Sequence, residues 1–164
     1  MTFPTQPFMT AIAALVLAVL PFNGECGDIS AFNELGSVDE IPGSATTASI
    51  TQNGDRNVSG IQQQGNFNRA TIVQSGGDNT ASVSQTGAGN LGEQYQTGTG
   101  NSAEISQTGE GNHAVQQQNG SGNLASAVQV GANNTVSQSQ AGNGLASIVT
   151  QVGNGMVINV IQGR

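Results

Sequence analysis

The chain has 164 residues, which is enough for one domain. It contains 24 Gly, 18 Gln and 17 Asn, whereas charged residues make up 8% and aromatic residues 4%. This composition argues against a large core of aromatic and leucine side chains. The net charge of -7 argues against a basic surface that would neutralise phosphates, so we expect no nucleic-acid partner.

The first 24 residues have the pattern of a secretory signal peptide. Residues 11–20, AIAALVLAVL, form an apolar run that is too short to span a bilayer, which takes about 20 residues. Such a run suits the central part of a signal peptide. No Lys or Arg precedes it and no clear cleavage motif follows it, so we place cleavage broadly within residues 23–27. A buried core helix is the alternative, but no second helical segment is predicted that would pack against it.

Residues 25–45 are predicted to be an acidic, flexible leader. Five of the ten carboxylates of the chain lie in this segment, and Pro42 is the last proline. Cys26 is the only cysteine, so no disulfide can form within the chain. Residues 46–164 contain no proline, as a continuous ladder of backbone hydrogen bonds requires.

Residues 46–164 are predicted to be one repeat domain, because they repeat the unit Q-x-G-x-x-N-x-A-x-I-x every eleven residues. The glutamines are Gln52, Gln63, Gln74, Gln85, Gln96, Gln107, Gln118, Gln129, Gln140, Gln151 and Gln162. The asparagines are Asn57, Asn68, Asn79, Asn90, Asn101, Asn112, Asn123 and Asn134. Two residues before the glutamine, the predicted core positions are Ile50, Ile61, Ile72, Val83, Ile105 and Val149.

Each unit is predicted to be a seven-residue strand followed by a four-residue turn. An eleven-residue period also occurs in right-handed coiled coils, but a Gly in every unit would break a helix. In the unit that begins at Asn57, the strand is 57–63 and the turn is 64–67. Alternate residues of a strand share a face, so the Asn, Ala, Ile and Gln of each unit are expected to point inward.

The expected fold class is all-β: a two-sheet β-solenoid of stacked, cross-β arches with about eleven short strands. Gln94, Gln116 and Gln138 replace the aliphatic residue at intervals of 22 residues, which predicts two units, or 22 residues, per rung. Stacked amides would then bond to their counterparts in the rungs above and below. Because an unpaired buried amide costs about 1–3 kcal/mol, these ladders would penalise slips of register.

The repeat resembles the curlin repeat of bacterial curli fibres. Curlin units have the form S-x5-Q-x4-N-x5-Q, and the part Q-x4-N-x5-Q recurs here without a gap from residue 52 to residue 140, for example at Gln107, Asn112 and Gln118. The resemblance covers residues 46–162, although Leu145 and Met156 take the asparagine position in the last two units. The resemblance implies a secreted structural subunit of extracellular amyloid fibres at the bacterial cell surface. It also implies a role in fibre assembly, adhesion and biofilm matrix. The implied partners are other curlin subunits and the curli secretion and outer-membrane assembly proteins.

Two segments are more similar to the minor, nucleating curlin subunit than to the major, fibre-forming one. They are the leader stretch AFNEL, residues 31–35, and the aliphatic last unit MVINVIQGR, residues 156–164. In that unit apolar residues occupy both faces, and a terminal strand has unpaired backbone groups that can template another chain. The predicted assembly edge therefore consists of Met156, Val157, Ile158, Val160, Ile161 and Arg164. The major subunit remains the alternative.

No catalytic, cofactor or metal site is predicted, and no small-molecule substrate is expected. His113 is the only histidine and falls on an outward position, while Glu93 and Glu104 fall on opposite sheets, too far apart for acid–base work. A soluble ligand- or ice-binding solenoid is a rival class, but it needs a flat array of one residue type, and the outward positions are mixed. A disordered linker is the third class, and the unbroken spacing argues against it.

Overall fold

The computed structural model describes residues 12–14 and 45–163. Most of the predicted signal peptide, the predicted leader up to residue 44, and Arg164 lie outside the described residues. The described residues form strands and no helix, so none of their segments is a helix able to cross a membrane. The strands are β1 (Ile12–Ala14), β2 (Thr47–Asn53), β3 (Val58–Asn66), β4 (Arg69–Gly77), β5 (Thr80–Ala88), β6 (Leu91–Thr99), β7 (Ser102–Glu110), β8 (His113–Ser121), β9 (Leu124–Ala132), β10 (Thr135–Asn143), β11 (Ala146–Val152) and β12 (Val157–Gly163).

The strands form two sheets in which consecutive strands alternate. The first sheet has the order β1-β3-β5-β7-β9-β11, and the second has the order β12-β10-β8-β6-β4-β2. From β2 onward all pairs are parallel, and each residue lies opposite the residue 22 positions away, as Ile72 does opposite Gln94. Only β1 pairs antiparallel, with residues 62–64 of β3. The predicted two-sheet β-solenoid of eleven strands and 22 residues per rung is confirmed.

The predicted division into seven strand residues and four turn residues is wrong. Strands β3 to β10 contain nine residues each and begin one residue after the asparagine, so the turns are short. Pairing continues through the glycine, because Gly65 at φ 108° still lies opposite Gly87 in the ladder. The asparagine belongs to the turn, as Asn68 does between β3 and β4, and its side chain is fully buried there.

The core is a thin layer of small and aliphatic side chains between the two sheets. Five of the six predicted core positions are buried, and Ile50 on β2 is partly buried at the end of the stack. Alanines fill the neighbouring inward position, for example Ala70 and Ala114. Such a layer buries little apolar area per rung, so the polar side chains that flank it have to be satisfied internally.

Candidate functional site

Two glutamine ladders run along the inside of the solenoid, one in each sheet. In each ladder the Nε2 of one glutamine donates to the Oε1 of the glutamine 22 residues later, at 2.7–2.9 Å. The second hydrogen of Nε2 binds a backbone carbonyl of the facing strand, 16 residues earlier, at 2.9–3.1 Å. Both amide hydrogens are therefore used by every glutamine of the two ladders from Gln63 to Gln140.

The asparagines form a second pair of ladders, one at each turn edge. Asn101 is representative: its Nδ2 donates to the carbonyl of Gly120 at 2.9 Å, and its Oδ1 accepts from the backbone N–H of Asn123 at 3.1 Å. The side chain thus satisfies turn groups that a sheet ladder alone would leave unpaired. The last two asparagines, Asn123 and Asn134, bond to the backbone N–H of Leu145 and Met156, where the asparagine column ends.

A shorter glutamine ladder lies in the middle of the second sheet. Gln94 donates to Gln116 at 2.9 Å and Gln116 donates to Gln138 at 2.7 Å, in the column that Ile72 occupies one rung earlier. Gln138 ends the ladder by donating to the hydroxyl of Ser147 at 2.8 Å. The Oε1 of Gln94 is buried and has no partner among the described residues, because Ile72 below it cannot donate.

The glutamine ladders all have the same direction, which sequence periodicity does not reveal, whereas the Oδ1 atoms of the asparagine ladders face the later rung. Each Nε2 points toward the later strand and each Oε1 toward the earlier one. At the first rung, no described residue donates to the Oε1 of Gln52 or Gln63. At the last rung, Nε2 of Gln151 and of Gln162 uses only one hydrogen, toward a facing carbonyl. One end of the solenoid therefore presents unused glutamine acceptors and the other presents unused glutamine donors.

The end formed by β11 and β12 is apolar on its outer surfaces. Val157 and Ile161 on β12 are 75% and 76% exposed, whereas Met156, Ile158 and Val160 are partly buried. Arg164, the sixth residue of the predicted assembly edge, lies outside the described residues. The outer face of β11 also carries two exposed apolar residues, Ile148 and Val152, both 71% exposed, which were not among the predicted edge residues. Alternate residues of β11 are buried, so residues an even number apart share a face. The spacing of four between Ile148 and Val152 therefore indicates in the sequence that both lie on the outer face.

Charged groups lie outside the amide ladders and are dispersed. Glu93 and Glu104 are on β6 and β7, in opposite sheets, and His113 is half-buried on an outward position of β8. The described residues contain no cluster of His, Cys, Asp or Glu that could hold a metal ion. The one ion pair among them joins Arg56 and Asp78, which occupy equivalent turn positions in adjacent rungs.

The Arg56–Asp78 ion pair changes the pKa of the Asp78 carboxyl. Arg56 donates from Nε and Nη2 to the two carboxylate oxygens at 2.6 and 2.7 Å, and these hydrogen bonds lower the pKa of Asp78. A lowered folded pKa means that the pair stabilises the fold above the ordinary carboxyl pKa and stops doing so as pH falls through the folded value. Both side chains are exposed, so we expect a small effect on stability.

We expect Arg56→Gln to return the pKa of Asp78 toward its ordinary value, measured by NMR titration of the side-chain carboxyl. Arg69→Gln, at the other end of β4, is the control and should leave that titration unchanged. An Asp78 titration that is identical in the parent chain and in Arg56→Gln would show that the pair does not form in solution.

A comparison with known families links this geometry to one repeat. The family described as Curlin associated repeat matches residues 43–76 and 60–87. The matched residues include β2, β3, β4 and most of β5, and the same ladders continue beyond them to β12. The match supports the curlin family. No curated protein matches the chain at a significant level.

Proposed function

We propose that the protein is a secreted structural subunit of curli-type amyloid fibres. The observation that carries this proposal is the pair of glutamine ladders, which are continuous through the solenoid and end with unused acceptors at β2 and β3 and unused donors at β11 and β12. Two copies in contact at these ends would continue the ladders. The Curlin associated repeat match supports the same class of structural protein, as opposed to an enzyme.

The proposal places the protein outside the cell, in a fibre at the bacterial surface. Residues 1–24 would be removed as a signal peptide and residues 25–45 would form a leader ahead of the solenoid. Other curlin subunits are the proposed binding partners, with curli secretion and outer-membrane assembly proteins acting before them. A role in adhesion and biofilm matrix follows from the proposed fibre.

Within this class we propose the minor, nucleating subunit. The support is the last strand, whose outer residues Val157 and Ile161 are apolar where β10, its neighbour in the same sheet, has Thr135 and Ser139. An exposed apolar edge strand is a liability in a free protein and an advantage in one that templates another chain. The alternative is the major fibre subunit, which needs the open ends but not the apolar outer residues.

Fibre formation by the purified chain tests the proposed class. We expect unbranched fibres with a meridional reflection at about 4.7–4.8 Å, the spacing of stacked strands. A stable, soluble β-rich monomer at high concentration would instead indicate a ligand-binding solenoid and would overturn the proposal.

The nucleating role is tested by changing only the outer face of the last strand. The double variant Val157→Asn and Ile161→Asn should lengthen the lag with which the chain seeds a second curlin. The matched control is Thr135→Asn and Ser139→Asn, at the same positions one rung earlier, and it should seed like the parent chain. Equal lag times in the two variants would leave the major subunit as the better assignment.

A further inference from the structure

Each eleven-residue unit forms one strand, and consecutive strands lie in alternate sheets. Strands β2 and β12 therefore both lie in the second sheet, which has six repeat strands, whereas the first sheet has five, β3 to β11. A stack of copies cannot keep one orientation and also pair both sheets at every junction. The repeat therefore has eleven strands in total, an odd number, and this determines how a second copy can be added.

We propose that each copy in the fibre is rotated by half a turn about the fibre axis relative to the one before it. In this arrangement β2 of the incoming copy pairs with β11 in the first sheet, and its β3 pairs with β12 in the second sheet. The incoming strands then take the places of a twelfth and a thirteenth unit. The inference rests on the proposed function, since it describes how the fibre subunits meet.

The half-turn arrangement satisfies the amide groups left open at both ends. The unused hydrogen of Gln151 would meet the Oε1 of Gln52 in the next copy, and Gln162 would meet Gln63 in the same way. Within the chain, Nε2 of Gln52 lacks the facing carbonyl that every later glutamine of the two ladders uses, and donates to Ser59 Oγ instead, at 3.0 Å. With β12 of the previous copy beneath it, the carbonyl of Val157 takes that place.

The backbone follows the same rule at the strand starts. Within the chain, the N–H of the first residue of a strand donates to a carbonyl in the next rung. The acceptor is the residue just before the paired strand, as Thr47 of β2 donates to Asn68, just before β4, at 2.8 Å. At the last rung, the N–H groups of Ala146 and Val157 would find the carbonyls of Thr46 and Asn57 of the next copy. Both starts are then paired.

The apolar column also continues through this junction. Val149 of β11 would lie beside Ile50 of the next copy, and Val160 of β12 beside Ile61. Ile50 and Val160 are only partly buried within one chain, although they pack against its core. The junction therefore covers two of the three aliphatic side chains that are partly buried against the core of a single solenoid.

Stacking without rotation leaves one strand missing. In an unrotated stack, β12 would pair with β2 of the next copy. In the first sheet, however, β11 and β3 of the next copy would be two strand spacings apart, so one strand would be missing between them. The strand β1 covers only residues 62–64 of β3, and it lies within the proposed signal peptide. Residues 36–42 do not continue the repeat, because they place Asp39 in the aliphatic column and Ile41 in the glutamine column.

Cysteine cross-linking in fibres distinguishes the two arrangements. The probes are single cysteines at outward positions in the full chain with Cys26→Ser: Thr51→Cys on β2, Gln62→Cys on β3, Thr150→Cys on β11 and Ile161→Cys on β12. Paired residues of neighbouring strands lie about 4.8 Å apart, within disulfide range, whereas residues on opposite sheets do not. Equimolar mixtures of two variants are assembled, oxidised and analysed for mixed dimers.

We expect dimers between Thr51→Cys and Thr150→Cys, and between Gln62→Cys and Ile161→Cys. Their yield should be at least about tenfold above that of Thr51→Cys with Ile161→Cys, whose sites fall on opposite sheets. Fibres in which the last mixture gives an equal or higher yield would overturn the half-turn arrangement. Absence of fibres from the cysteine-free chain, seen by electron microscopy, would instead remove the proposed function and this inference with it.

Discussion

Gly98→Ala is expected to destabilise the solenoid by at least about 3 kcal/mol. Gly98 has φ 117°, which an alanine adopts only with strain, and an added Cβ would clash with the carbonyl oxygen of Gly120 in the next rung. That oxygen also accepts the Nδ2 of Asn101, so a displaced turn would disturb the asparagine ladder as well. The midpoint of guanidinium unfolding, followed by far-ultraviolet circular dichroism, measures the loss.

Gly100→Ala is the matched control on the same turn. Gly100 also has a positive φ, 66°, but nothing lies within 4 Å of its added Cβ. Other units place Arg56, Phe67, Asp78 and Asn133 at this turn position, with φ between 54° and 58°. We expect a cost of only about 1–2 kcal/mol, the general penalty of a left-handed residue. Similar losses in the two variants would mean that strain, and not the close approach of rungs, governs these turns.

Gln118→Glu is expected to prevent folding at neutral pH, with a cost above about 3 kcal/mol. The side chain is 1% exposed, and its Nε2 donates to the Ser102 carbonyl and to Gln140 Oε1 at 3.0 and 2.9 Å. A carboxylate there would lose both bonds and face two acceptors. Since these neighbours favour the protonated form, the folded pKa of the new carboxyl would be raised. The destabilisation should therefore shrink as pH falls from the raised folded pKa to the ordinary carboxyl value, below which both states are protonated.

Gln117→Glu provides the control, because Gln117 is the adjacent residue of β8 and its side chain is exposed. It adds the same charge to the same strand without entering a ladder. We expect unfolding midpoints close to those of the parent chain at pH 7 and pH 3, whereas Gln118→Glu should fold detectably only at pH 3. If both variants behave alike, net charge and not the ladder accounts for the effect.

Periodicity was sufficient to predict the fold, because a strict spacing of eleven leaves one arrangement in which Gln63 and Ile61 share a buried face. The 22-residue rung also followed from sequence, through Gln94, Gln116 and Gln138. The strand bounds could not be predicted in this way, because the turn propensity of glycine places it outside a strand. Here Gly65 has a positive φ of 108° and is still paired with Gly87 in the sheet. Close packing of rungs overrode the local preference.

The direction of the glutamine ladders could not be predicted from the sequence. The sequence shows where each glutamine lies but not whether its Nε2 or its Oε1 faces the next rung. Only the groups around the amide determine this orientation. Once each Nε2 also binds a facing carbonyl, as Gln85 does to Arg69 at 3.0 Å, all members must point the same way. The unpartnered Oε1 of Gln94 is a consequence, since a directed ladder that begins inside the core starts with an acceptor that nothing satisfies.

The 22-residue register gives the parallel sheets an unusual folding problem. Parallel strands normally pair across long stretches of chain, and this makes their folding slow. From β2 onward every paired strand lies 22 residues away, so the relative contact order is only about 0.13 of the chain length. Folding can begin at any rung and proceed to its neighbours, as in other one-dimensional arrays. In the proposed fibre, docking of a new copy would repeat the step by which the chain adds its own next rung, so folding and fibre growth would become one continuous reaction.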